Sequence, residues 1–137
     1  MTDKTTIATI TETGDSPYAV AIAIAGRTLT GDEPVAVGGG DLGPSPFDFL
    51  TAALGECTAM TVRWYALQQT WPLEKVEVRI AHFKDGRQDV FEKTIHLTGD
   101  ALSSDQRAAL MSIAAKCPVQ RVLEGTPRIT TFEYPTA

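Results

Sequence analysis

The stretch from Pro46 to Trp71-Pro72 constrains this chain more than any other. Between Phe47 and about Gln69 no proline interrupts it, and Leu50, Ala53, Leu54, Cys57, Met60, Thr61, Trp64 and Leu67 recur at helical spacing. Phe49, Ala52 and Val62 fall on other faces, so the predicted helix is apolar nearly all round. Such a helix is buried on several sides, in a domain core or at a subunit interface. Ser45 can cap it and Pro46 can occupy its first turn. Its most apolar part, Phe47 to Val62, contains Asp48 and Glu56 and is too short and too polar to span a bilayer.

The flanking segments read as strands and shorter helices. Thr6 to Thr11 largely alternates polar with apolar, Gly14 to Pro17 is a turn cluster, and Tyr18 to Ala25 is a second strand paired with the first as a hairpin. Gly26 permits a bend into a short third strand at Arg27 to Thr30. Residues 31–46 hold five glycines and three prolines, but no Gly-Lys-Ser/Thr follows, so this is read as a flexible loop and not a phosphate loop. Beyond Pro72, Val76 to Ile80 alternates as a strand, Asp85-Gly86 turns, and Val90 to Leu97 returns. Ser103 and Gln106 form a capping-box pattern opening a helix that runs to about Lys116, with Ala109, Leu110, Ile113 and Ala114 as its apolar stripe. Cys117-Pro118 interrupts it, Pro118 to Glu124 is a short helix closed by Gly125, and Arg128 to Tyr134 is a final strand. The expectation is one α+β domain over residues 1–137.

Charge narrows the partners. Twelve basic and seventeen acidic residues leave a net charge of −5 with no basic stripe, which argues against nucleic acid as the main partner. Met1 to Thr6 has no apolar core of a signal peptide, so a cytoplasmic, reducing location is expected, with no membrane partner. Two cysteines in such a compartment are seldom a permanent staple; they are packing residues or a reactive pair.

Cys117 precedes a proline and therefore falls at the cap of the short helix. A sulfur there meets unpaired backbone N–H groups that favour the thiolate, with Lys116 and Arg121 nearby in sequence. A plain packed cysteine at a helix kink is the equally open alternative. Cys57 sits mid-helix on the apolar face with Glu56 beside it, and by its own surroundings reads as a small buried hydrophobe. His82 and His96 would be the other ligands of a zinc site, but no paired Cys or His spacing supplies a nucleus, so no metal or other cofactor is expected.

Gly43-Pro-Ser-Pro-Phe-Asp-Phe-Leu50, Leu54-Gly-Glu-Cys-Thr-Ala-Met-Thr-Val-Arg63 and Lys116-Cys-Pro-Val-Gln-Arg121 together resemble the OsmC/Ohr family of osmotically inducible and organic hydroperoxide resistance proteins. Thr58 to Ala66 and Trp71 to Glu74 are closer to a general OsmC-like branch. The resemblance implies an intertwined homodimer whose central helices are enclosed by sheets, with two equivalent sites at the interface. It implies that Cys57 is the peroxidatic thiol, that Cys117 is the resolving thiol, and that an organic hydroperoxide and a dithiol reductant are the reaction partners.

Relatives of the reductase type also use an Arg from the leading strands and a Glu near the start of the central helix. Here Arg27 is the only Arg before that helix, and Asp48, one methylene shorter, is the nearest acid. Asp48 lies nine residues before Cys57, half a turn out of phase in a regular helix. Glu56 replaces the small residue usual before the first Cys, and Gln120 stands where relatives often carry His. Arg63 and Arg121 are the other candidates for the missing charge, Arg121 from across a dimer interface. The alternative function is a non-catalytic stress protein that binds a small apolar ligand between the central helices.

Overall fold

Ala25 at φ 51° and Gly26 at φ 72° are consecutive left-handed residues, the backbone of a two-residue hairpin turn matched to strand twist. They join β2 (Val20–Ile24) to β3 (Arg27–Gly31), with Ile24 opposite Arg27. β1 (Ala8–Glu12) pairs antiparallel with the other edge of β2, giving a three-stranded sheet in the order β1-β2-β3. The structure is a computed structural model that describes residues 4–134.

The glycine-rich segment after β3 is not the flexible loop the composition suggested. The buried carboxylate of Asp32 accepts hydrogen bonds from the Ser16 hydroxyl at 2.9 Å to each oxygen, and from the N–H groups of Glu33, Gly40 and Leu42 at 2.7, 3.0 and 3.2 Å. The glycines allow close backbone approach: a Cβ on Gly39 would lie 2.0 Å from the Glu33 carbonyl oxygen, and one on Gly43 2.1 Å from that of Thr30. Composition signals turns, but a single acceptor gathering the loop's N–H groups is what orders it.

α1 spans Pro46–Gln69, opening as expected at Ser45. Ser45 Oγ accepts from the Asp48 N–H at 3.2 Å, and Asp48 Oδ2 accepts from the Ser45 N–H at 2.9 Å, a reciprocal cap. Thr70, left-handed at φ 56°, ends the helix before Trp71-Pro72.

The chain divides into two compact units, one ending at Ala52 and the other beginning at Ala53. In the second, β4 (Lys75–Asp85) and β5 (Gln88–Thr98) form a long antiparallel hairpin in which Ile80 faces Lys93. α2 (Ser104–Ala114) carries the complete Ser103/Gln106 capping box, and α3 (Pro118–Glu124) has Cys117 as its cap. The core of this unit joins Val62 and Ala66 of α1 to Leu73, Leu97, Leu102, Leu110 and Ala114, with Tyr65 and Trp71 edge-on beside it at 5.5 Å. Two guanidinium groups tie the strand ends to the helices. Arg63 donates to the carbonyls of Leu73 and Glu74, and Arg107 to those of Leu97 and Gly99.

Within the single chain, Leu54, Thr58, Val62 and Ala66 of α1 make one buried seam at four-residue spacing, while Met60, Trp64 and Leu67 are 63, 57 and 64% exposed. One expectation is corrected: the final strand from Arg128 to Tyr134 does not form. Among the described residues no strand follows α3, and Ile129, Phe132 and Tyr134 stand exposed. A strand needs a neighbouring ladder for its backbone groups, and neither sheet takes this segment in. Among the described residues no helix is long and apolar enough to cross a membrane.

Candidate functional site: two thiols and a lysine

The buried seam of α1 brings Thr58, fully buried, against Cys117, which is also fully buried. Pro118 at the first turn of α3 leaves Cys117 extended at φ −68°, ψ 149°, so its side chain turns back over the helix start. There Sγ accepts from the Gln120 N–H at 3.4 Å and from the Thr58 hydroxyl at 3.5 Å. Cys57, half-buried, stands next to Thr58 on α1, and its thiol is near enough to the Cys117 sulfur to favour that sulfur's ionised form. Both cysteines are free thiols.

A cation sits behind this pair. Lys93 Nζ donates to Thr58 Oγ1 at 3.1 Å, to the Ala114 carbonyl at 2.5 Å and to Gln120 Oε1 at 2.6 Å. An ammonium has three protons, so all three are satisfied. Burial pushes the Cys117 thiol up, but hydrogen bonds from Thr58, the Gln120 N–H and Cys57, with the nearby charge of Lys93, outweigh it and hold the thiol below its ordinary value. The cap position read from Cys117-Pro118 is therefore correct, and a helix-end N–H does reach the sulfur.

The other sequence candidates go elsewhere. The Asp48 carboxylate is engaged with the Ser45 N–H in the cap of α1, and Arg27 Nη1 donates to the Ala25 carbonyl at 2.8 Å in its own hairpin turn. Arg63 is committed to the carbonyls after α1, and Arg121, Lys116 and Glu56 are exposed. Gln120, singled out where relatives carry His, does enter the site through Lys93, and its Nε2 donates to Glu124 at 3.3 Å. Lys93 and Thr58 were missed. The signal for Lys93 was its phase: it shares the core-facing side of β5 with Ile95 and Leu97, an inward charge in an alternating strand.

His82 pairs with Asp89 at 2.9 Å and stacks on Phe91, while His96 is exposed. Among the described residues no group of three or more His, Cys, Asp or Glu is arranged to hold a metal ion.

With this fold and thiol pair in view, the comparisons define the class. The profile of the family described as OsmC-like protein matches residues 38–132, and the chain belongs to that family. Solved structures of the same fold include the organic hydroperoxide resistance protein OsmC of Legionella pneumophila, at 21% identity over 91% of this chain and 93% of that one, TM-score 0.65. The organic hydroperoxide resistance protein OhrB of Bacillus subtilis is similar at 18% identity over 89% and 92%, TM-score 0.61. An OsmC-like protein of Mycoplasma pneumoniae is similar at 17% identity over 90% of each chain, TM-score 0.70. No curated protein matches the chain.

Proposed function

We propose that the chain is a thiol peroxidase that reduces organic hydroperoxides, with Cys57 as the attacking sulfur and Cys117 as the resolving one. The observation that carries this reading is the placing of the half-buried Cys57 thiol beside the fully buried Cys117 sulfur. Two of its solved neighbours are named for organic hydroperoxide resistance, which agrees with it. Of the two thiols, half-buried Cys57 is the one a substrate can reach, since Cys117 has no exposed surface.

The Cys57 sulfur bonds to the terminal oxygen of the hydroperoxide, the O–O bond breaks, and the alkoxide leaves as the alcohol after taking a proton. Cys57 is then a sulfenic acid. The Cys117 sulfur attacks the Cys57 sulfur, the S–O bond breaks, and hydroxide leaves as water. The resulting disulfide is reopened by a dithiol, which carries away the two electrons the peroxide accepted. Dependence on a dithiol fits a reducing compartment such as the cytoplasm.

The working form in this reading is a homodimer. Met60, Trp64 and Leu67 on α1, with Ala59, Arg63 and Val76, line an apolar depression of about 390 Å³ that a second copy would cover. A coupled assay with an organic hydroperoxide and a dithiol tests the chemistry. Dithiol consumption is expected for the native protein and should fall at least about a hundredfold in Cys57→Ser. A native rate no greater than that of the variant would refute it.

A further inference from the structure

Lys93 occupies a core-facing position of β5, where an ammonium is costly unless every proton is bound. All three are, and one of the acceptors is Thr58 Oγ1. A hydroxyl oxygen that accepts from an ammonium keeps its own proton to give. For Thr58 that proton has two acceptors, the Leu54 carbonyl at 2.8 Å and the Cys117 sulfur at 3.5 Å. The cation thus polarises a hydroxyl aimed at a sulfur, at one remove from it.

We propose that Lys93, acting through the Thr58 hydroxyl, is a positioning residue that favours the thiolate form of Cys117. This rests on the reading of Cys57 and Cys117 as a reactive pair. The groups that face Cys117 from the packed elements are Cys57 and Thr58 of α1, Lys93 of β5 and the Gln120 N–H of α3. The nearest carboxylate in this network, Glu124, is held at the Gln120 amide, so Lys93 acts without an opposing charge between it and Thr58. A resolving sulfur that ionises more readily closes sooner on a sulfenic acid, which shortens the life of the oxidised Cys57. Once the disulfide forms, the sulfur loses its charge and the Thr58 proton turns fully to Leu54.

The test leaves peroxide out. In a Cys57→Ser background, the ultraviolet absorbance of the thiolate is followed against pH, which reads Cys117 without requiring access to it. Lys93→Met should raise the midpoint by about one pH unit or more, about tenfold less thiolate at a fixed pH below it. Lys93→Arg should restore it, and Thr58→Val, close in volume, should raise it as Lys93→Met does. Lys93→Met and Thr58→Val titrating like the parent would overturn the proposal. If Lys93→Met does not fold, Thr58→Val decides by the same criterion. Midpoints that move as expected, with no hydroperoxide turnover by the native protein, keep this inference and refute the peroxidase; turnover by the native protein with unmoved midpoints does the reverse.

Discussion

At the scale of single residues, two charged side chains in unusual places organise the molecule, and they use opposite means. Asp32 gathers donors: burial pushes its carboxyl up, but the Glu33 N–H, the Ser16 hydroxyl and the N–H groups of Leu42 and Gly40 hold it below the usual carboxylate range. A carboxyl lowered on folding stabilises the fold fully above its unfolded value of about 4, and that contribution is lost as pH falls through the lowered value. Asp32→Asn should therefore lower Tm at neutral pH, and the gap to the native protein should close in acid. Melting curves of both proteins across that range check it; a gap that stays constant with pH would contradict it. Lys93 instead donates, to Thr58, Ala114 and Gln120. Both residues are individually visible in the sequence, but what they bind is not. Ser16 stands 16 positions from Asp32, Gly40 stands 8 from it, and Thr58 stands 35 from Lys93. Only folding creates those pairs.

Elements were more legible than contacts. The cap of α1 at Ser45, the capping box at Ser103 and the break at Cys117-Pro118 are local chemistry, and each appears where the sequence puts it. Which side of α1 is buried was harder to read, because an apolar residue on a helix reports hydrophobicity and not direction. The seam runs through Leu54, Thr58, Val62 and Ala66, with a threonine in it, while larger Met60 and Trp64 face outward. Contiguous exposed apolar residues of this kind mark an interface. The segment carrying Ile129, Phe132 and Tyr134 has the alternation of a strand, but a strand cannot persist without a ladder. If the α1 stripe is the homodimer surface, Met60→Lys combined with Trp64→Arg should convert a dimer to a monomer in sedimentation equilibrium while leaving helix content unchanged. A double variant with the native mass would rule out that surface.

For the whole molecule, the α+β class and the OsmC-like family were readable because three separated motifs fall in one order along the chain, and the family profile covers all three in full. The charge partner of the thiols was not readable in the same way. Family pattern points to Arg27 and Asp48, whereas the structure commits Asp48 to a helix cap and Arg27 to a turn, and sets Lys93 behind the sulfurs. The site is thus assembled within the second unit from α1, β5 and the start of α3, three elements that no local sequence window contains. The proposed chemistry is that the Cys57 and Cys117 sulfurs join in one covalent bond when a hydroperoxide arrives.

Intact and peptide mass spectrometry after one equivalent of an organic hydroperoxide, without added reductant, tests this most directly. The expected product is a protein lighter by two hydrogens whose single cross-linked peptide joins Cys57 to Cys117. A protein that keeps both thiols, or that accumulates sulfinic acid on Cys57 with Cys117 untouched, would contradict it.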